Sequence, residues 1–209
     1  MTVVAGKFNL QLSHEPGTSD HAVLEIILHP DWDYDSASFD ADIALLFLLN
    51  SVSLTDKVQF VCLPEPSVEE AVGSGTVVGW GYSSTHATEV EKFPRQIHVP
   101  IVASTQCYLK YHHLAMIGSN RTFCGGYDNR GISTCQGDSG GGFYHREKSS
   151  WSILGVVSSA RYSSTQSCET NQYTIYTNVA KFVYWIKNVM ADGIMVAIKY
   201  VNFICEAGT

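Results

Sequence analysis

Thr134-Cys135-Gln136-Gly137-Asp138-Ser139-Gly140-Gly141-Gly142 decides how the rest of the chain is read. A serine between glycines, one residue after an acid and close to a cysteine, presents a hydroxyl nucleophile on a tight turn. Gly137 has no side chain and can turn sharply. Its N–H and that of Ser139 can then face one spot and bind a developing oxyanion. A bare GxSxG-like string also occurs as a glycine-rich loop with a solvated Ser-Asp pair. The nine-residue context makes the chemical reading the better one.

Outward from this turn, the chain reads as short strands divided by turn residues. Downstream, Gly141 to Tyr144, the apolar Ser152 to Ser158 and the alternating Tyr173 to Asn178 predict strands. Val179, Phe182, Val183, Ile186, Val189 and Met190 then form one apolar stripe, which predicts a helix over 179–190. The tail from Ile194 to Cys205 is apolar again, but Lys199 interrupts it and it is too short to span a bilayer. Upstream, strands are predicted for Ala22 to Leu28, Val58 to Cys62, Gly75 to Gly81, Gln96 to Val102 and Thr122 to Gly126. Ser104 is a candidate cap for a short helix reaching Tyr111. Asp40-Ala41-Asp42 leads into Ile43-Ala44-Leu45-Leu46-Phe47-Leu48-Leu49, a run apolar and long enough for a buried strand. An acid at the mouth of such a strand is either a solvated turn residue or part of a site. So many short strands predict an all-β chain, a sandwich or a pair of antiparallel barrels.

Composition narrows the class. With 209 residues, 45% hydrophobic, the chain can bury a core. Only 16% of residues are charged and the net charge is −7, which argues against nucleic-acid or anionic-membrane partners. The six cysteines, Cys62, Cys107, Cys124, Cys135, Cys168 and Cys205, show no CxxC or zinc-type spacing, so disulfides and an oxidising, extracellular compartment are expected, with no metal and no cofactor. Asn120-Arg121-Thr122 is a candidate glycosylation acceptor. Met1 to Lys7 lacks the features of a signal peptide, so the true N-terminus is expected to lie upstream.

Six landmarks, Asp42-Ile43-Ala44-Leu45-Leu46, Val61-Cys62-Leu63-Pro64, Gly79-Trp80-Gly81, Phe123-Cys124-Gly125-Gly126-Tyr127, Cys135-Gln136-Gly137-Asp138-Ser139-Gly140-Gly141 and Tyr176-Thr177-Asn178-Val179, resemble in order and spacing those of the trypsin-like (chymotrypsin-fold) serine endopeptidases. The overall texture is similar to arthropod members. The resemblance implies two packed antiparallel β-barrels with a C-terminal helix, the first barrel incomplete. It implies a peptidase domain over 1–190 and an extension over 191–209. The implied activity is hydrolysis of protein or peptide substrates through an acyl-enzyme. Ser139 takes the role of nucleophile and Asp42 that of the acid that orients the base. The N–H groups of Gly137 and Ser139 form the oxyanion hole, and Asp138 anchors the cleaved terminus. The implied disulfides are Cys107 with Cys124 and Cys135 with Cys168. Cys62 looks like the cysteine that ties many members to an upstream segment; otherwise it is free or bonded to Cys205.

The departures carry as much weight. The family's catalytic histidine belongs to a Thr-Ala-Ala-His-Cys-type motif upstream of Val4-Ala5-Gly6-Lys7, and the chain does not contain one. The other histidines read as surface residues. His145, if its strand is extended at about 3.3 Å per residue, lies roughly 20 Å from Ser139. Loss of the base costs roughly 10⁶ in kcat, so the chain by itself is expected to be inert, with Asp138 displaced or protonated for want of a partner. In the specificity pocket, Ser133 stands where members with Lys/Arg preference place an acid. With Ser158, Ala160 and Thr174 it resembles an elastase-like constriction for small apolar residues. Ser159 replaces the usual tryptophan. The alternative is a non-catalytic homologue acting as a binding or regulatory module.

Overall fold

The computed structural model describes residues 1–65, 73–83, 89–159 and 171–194. Their architecture is all-β with helices at the periphery. Strands β1 (Thr2–Ala5), β2 (Ser19–Leu28) and β3 (Ala44–Leu48) form an open antiparallel sheet in that order. Strands β4 (Ser74–Gly79), β5 (Arg95–Val102), β6 (Thr122–Gly125), β7 (Gly142–Glu147), β8 (Ser150–Ser159) and β9 (Thr174–Asn178) close into a barrel ordered β4-β5-β6-β9-β8-β7. The expected pairing of one whole and one incomplete barrel is thus present as a closed barrel beside an open sheet.

Closure satisfies every strand edge of the barrel, and its inward side chains fill the interior. Val77, Val99, Phe143, Leu154, Val157 and Tyr176 are buried there. The Phe123 ring lies stacked on Tyr176, with Phe143 edge-on to both. A second core lies beneath two short helices, α1 (Ser104–Lys110) and α2 (His112–Ile117), where the expected Cys107–Cys124 disulfide pins α1 to β6. Cys62 and Cys135 are also disulfide-bonded, and no described cysteine is free. Cys168 and Cys205 lie outside the described residues.

The third core joins the two sheets. Ala41, Val179, Phe182 and Ile186 are buried together against Ile43, Leu45, Ile153, Val156 and Trp185. Here the predicted single helix divides: Val179–Phe182 is a 3₁₀ turn capped by Asn178, and α3 runs from Val183 to Ile194. The boundary drawn at 190 falls inside α3. This packing covers one face of the open sheet. The other face is bare: Leu24 is 68% exposed, Ile26 47%, Leu28 57% and Leu46 43%, with Ile26 and Leu46 directly opposite each other.

Three local readings are corrected. Val58 to Cys62 is not a strand; it makes only isolated bridges, Thr55 with Val58 and Cys62 with Ser152. Ser104 begins α1 but does not cap it, since Ala103 holds that place and no side chain caps the helix. The run from Asp40 is strand only from Ala44, because Ala41 adopts a left-handed φ of 55° and the Ile43 N–H donates to the Ala41 carbonyl at 2.7 Å, turning the chain at Asp42.

Candidate active site

The turn at Ser139 is built by glycines and tied to β8. Gly137 and Gly140 have φ of 94° and 80°, a region that glycine enters freely. The Asp138 N–H donates to the Cys135 carbonyl at 3.0 Å and the Gly141 N–H to that of Asp138 at 2.9 Å. Outside the turn, the Gly140 N–H donates to the Val157 carbonyl at 2.9 Å and the Val157 N–H to that of Gly141 at 2.8 Å. Ser139 is exposed at the tip. Among the described residues, neither its N–H nor that of Gly137 has a backbone acceptor.

Asp138 points away from the tip. Its Oδ1 accepts from the Gly81 N–H at 2.8 Å and its Oδ2 from the Cys135 N–H at 2.9 Å. The carboxylate is half-buried, so the buried, partnerless acid expected from the sequence is instead held by two backbone donors. Gly79 and Gly81 are glycines because of it: a Cβ on either would overlap the carboxylate. A cavity of about 150 Å³ opens beside it, lined by Gly79, Gly81, Tyr82, Arg95, Ser133 and Asp138 among others.

Asp42 meets the same strand from the other side. The Ser158 hydroxyl donates to its Oδ2 at 2.7 Å, and the Thr177 hydroxyl donates to its main-chain carbonyl at 2.8 Å. Val157 and Ser158, consecutive on β8, thus hold the nucleophile turn and the acid. Asp40 is occupied elsewhere. Arg121 grips its carboxylate with two nitrogens, reaches Asp31 at 2.6 Å and lies over the Phe182 ring, while Ser119 donates to Asp40 at 2.6 Å. The Arg121 guanidinium holds the Asp40 carboxyl below the usual aspartate range, and Asp40 in turn raises Arg121. The structure separates the two acids that the sequence left side by side: one is ion-paired with Arg121, the other accepts from Ser158.

Of the predicted pocket residues, Ser133 and Thr174 are brought together, their hydroxyls 3.1 Å apart. Thr134 hydrogen-bonds the same Thr174 oxygen at 2.8 Å. The Tyr176 hydroxyl joins both threonines, and burial pushes its pKa up. Thr174 is buried, and Ala160 lies outside the described residues. Ser158 touches the acid, which the sequence reading missed, as it missed Thr134 and Thr177. A hydroxyl residue within a predicted strand was the available signal for Ser158 and Thr177, and Thr134 offered none. Asn120 sits on an exposed turn.

No described histidine hydrogen-bonds Asp42 or Ser139. Two are not the surface residues expected. His21 is buried, with Nε2 2.8 Å from the Ser19 hydroxyl. His29 is buried against the Phe182 and Trp185 rings, and desolvation pushes its pKa down. His145 lies on β7 with Nδ1 3.1 Å from the Ser74 carbonyl. His86 is outside the described residues. Among the described residues no group of three or more His, Cys, Asp or Glu is placed to hold a metal ion, and no helix is long and apolar enough to cross a membrane.

Comparison with known proteins places this geometry. Serine protease gd of Drosophila melanogaster is 33% identical over 88% of the chain, which spans 41% of that protein. Chymotrypsin-like elastase family member 1 of Homo sapiens is 33% identical over 91% of the chain and 72% of its own length. Tryptase of Mus musculus is 37% identical over 80% of the chain and 62% of its own length. The chain thus spans less than half of the first of these relatives. The sequence model of the family described as Trypsin matches residues 1–186. That match covers both sheets, Asp42 and the turn at Ser139, and the chain belongs to the trypsin family.

Proposed function

We propose that the chain is the nucleophile-bearing part of an extracellular serine endopeptidase, with residues 1–190 as its peptidase domain and 191–209 as an extension. The observation that carries this reading is β8, whose adjacent residues hold the turn of Ser139 and the carboxylate of Asp42. The Ser139 Oγ attacks the scissile carbonyl carbon while a histidine takes its proton. The N–H groups of Gly137 and Ser139 receive the negative oxygen. Collapse breaks the C–N bond, the histidine returns the proton to the leaving amine, and water then hydrolyses the acyl-enzyme by the same steps. Asp42 fixes the orientation of that histidine. Ser133, Ala160 and Thr174 favour small apolar residues at the cleaved position, and Asn120 is the glycosylation acceptor.

The histidine comes from an upstream segment of the same polypeptide. The bare face of Leu24, Ile26, Leu28 and Leu46 supports this, as an uncovered apolar surface on the sheet into which Asp42 leads. A non-catalytic module is the second reading, favoured by Ser159 where the family keeps tryptophan.

A fluorophosphonate probe tests the proposal on residues 1–209 and on the full polypeptide encoded by the transcript. Labelling at Ser139 is expected only in the latter, and Ser139→Ala abolishes it. An unlabelled full polypeptide would sink the endopeptidase reading; labelling of 1–209 alone would sink the external base.

A further inference from the structure

We infer that Thr177 is a positioning residue for Asp42, acting on the acid's main chain while Ser158 acts on its carboxylate. The kinetic part of this inference rests on the endopeptidase reading; the structural part does not. The sequence from Asp40 to Leu49 has the pattern of one uninterrupted strand, yet strand begins only at Ala44. The intervening turn is an unfavourable conformation. Ala41 is a fully buried non-glycine residue at φ 55°, and the Ala41 carbonyl accepts from the Ile43 N–H at 2.7 Å, which places Asp42 at the centre of a three-residue turn. Such a turn persists only where its surroundings over-determine it.

Thr177 supplies that constraint. It is fully buried, and its backbone is paired with Thr122 on one side and Val156 on the other, so the hydroxyl is fixed within the barrel wall. The hydrogen bond it donates to the Asp42 carbonyl, at 2.8 Å, involves the group that an extended strand would rotate away. Losing it frees residues 41–43 to straighten into β3, and successive side chains of a strand alternate in direction. Asp42 would then leave Ser158. The two hydroxyls, on neighbouring strands, grip the residue at its two ends, so the acid is positioned by the barrel and not by the sheet that follows it in sequence.

The test uses Thr177→Val, which keeps the branched shape and removes the donor, and Thr177→Ser, which restores it. In residues 1–209 carrying ¹³C-labelled aspartate, T177V displaces the Asp42 carboxyl resonance and T177S returns it. In the full polypeptide, T177V lowers kcat by up to about 100-fold with KM nearly unchanged, and T177S recovers most of it. If T177V does not fold, Thr177→Cys, with its weaker donor, is read in the same way. A variant that loses stability but keeps the wild-type Asp42 resonance and kcat overturns the inference, because Thr177 would then serve only to satisfy a buried carbonyl. Failure of Ser139 to react with the probe concerns the endopeptidase reading alone and leaves the resonance measurement decisive.

Discussion

Ser158 donates its hydroxyl proton to Asp42 across a sequence separation of 116 residues, at 2.7 Å. That bond joins the turn leading into β3 to the closed barrel at β8, the strand to which the Ser139 turn is also hydrogen-bonded. Ser158→Ala leaves a half-buried carboxylate without its side-chain donor. Hydrogen bonds to charged groups contribute about 1.5–3 kcal/mol, less where water can replace the partner. A loss of about 1–2 kcal/mol in urea denaturation is expected, with the barrel's near-ultraviolet signal retained.

Arg121 makes the second junction between the sheets, through Asp31 and Asp40. The pair is neither fully buried nor fully solvated, so Arg121→Ala is expected to cost about 2 kcal/mol at pH 7, between the values for surface and buried pairs. The pH dependence has a definite sign. The folded state lowers the Asp40 pKa below 3.8, so its contribution is complete above that value and fades as pH falls through the lower, folded one. Denaturation of wild type and variant across pH 2 to 7 checks this, to an order of magnitude: their stabilities converge only at the acid end.

The Cys107–Cys124 disulfide closes a loop with a sequence separation of 17 and lies entirely in the core. Cys107→Ser with Cys124→Ser releases the unfolded chain from that constraint, a loss of about 3 kcal/mol. Thermal unfolding shows it as a lowered Tm, with the β4–β9 pairings preserved in amide hydrogen exchange.

Gly79→Ala sets a methyl group against the Asp138 carboxylate. Overpacking of this kind costs about 1–3 kcal/mol. In the Asp138→Ala background the same change is expected to cost much less, so a double-mutant cycle returns a coupling well above 0.5 kcal/mol, roughly the limit for independent sites. Additive effects would show that the carboxylate moves aside freely.

Much of the fold was legible because its elements announce themselves locally. The alternation along β5 and β9 and the glycine-bounded β4 mark strands without reference to a partner, and the stripe from Val179 to Ile186 marks a helical face. The turn of Ser139 was legible for the same reason, its glycines standing where φ is positive. What escaped depended on distant partners. The Asp40 to Leu49 run hides its turn because nothing in the run shows that Thr177 and Ser158 will seize Asp42. Val58 to Cys62 has strand composition but is bridged only at isolated positions, Val58 to Thr55 and Cys62 to Ser152. His29 reads as a surface residue until Phe182 and Trp185 close over it.

The two glycines flanking Trp80 have a meaning of their own once Asp138 is in view. They are the imprint of a carboxylate that lies 57 residues beyond Gly81, for the chain could carry no larger side chain at either place while that acid stays where it is. Gly79-Trp80-Gly81 is in this sense a mould and Asp138 its casting. In this chain a side chain added at either glycine would press on the carboxylate, so the two glycines bear on the nucleophile turn from outside it.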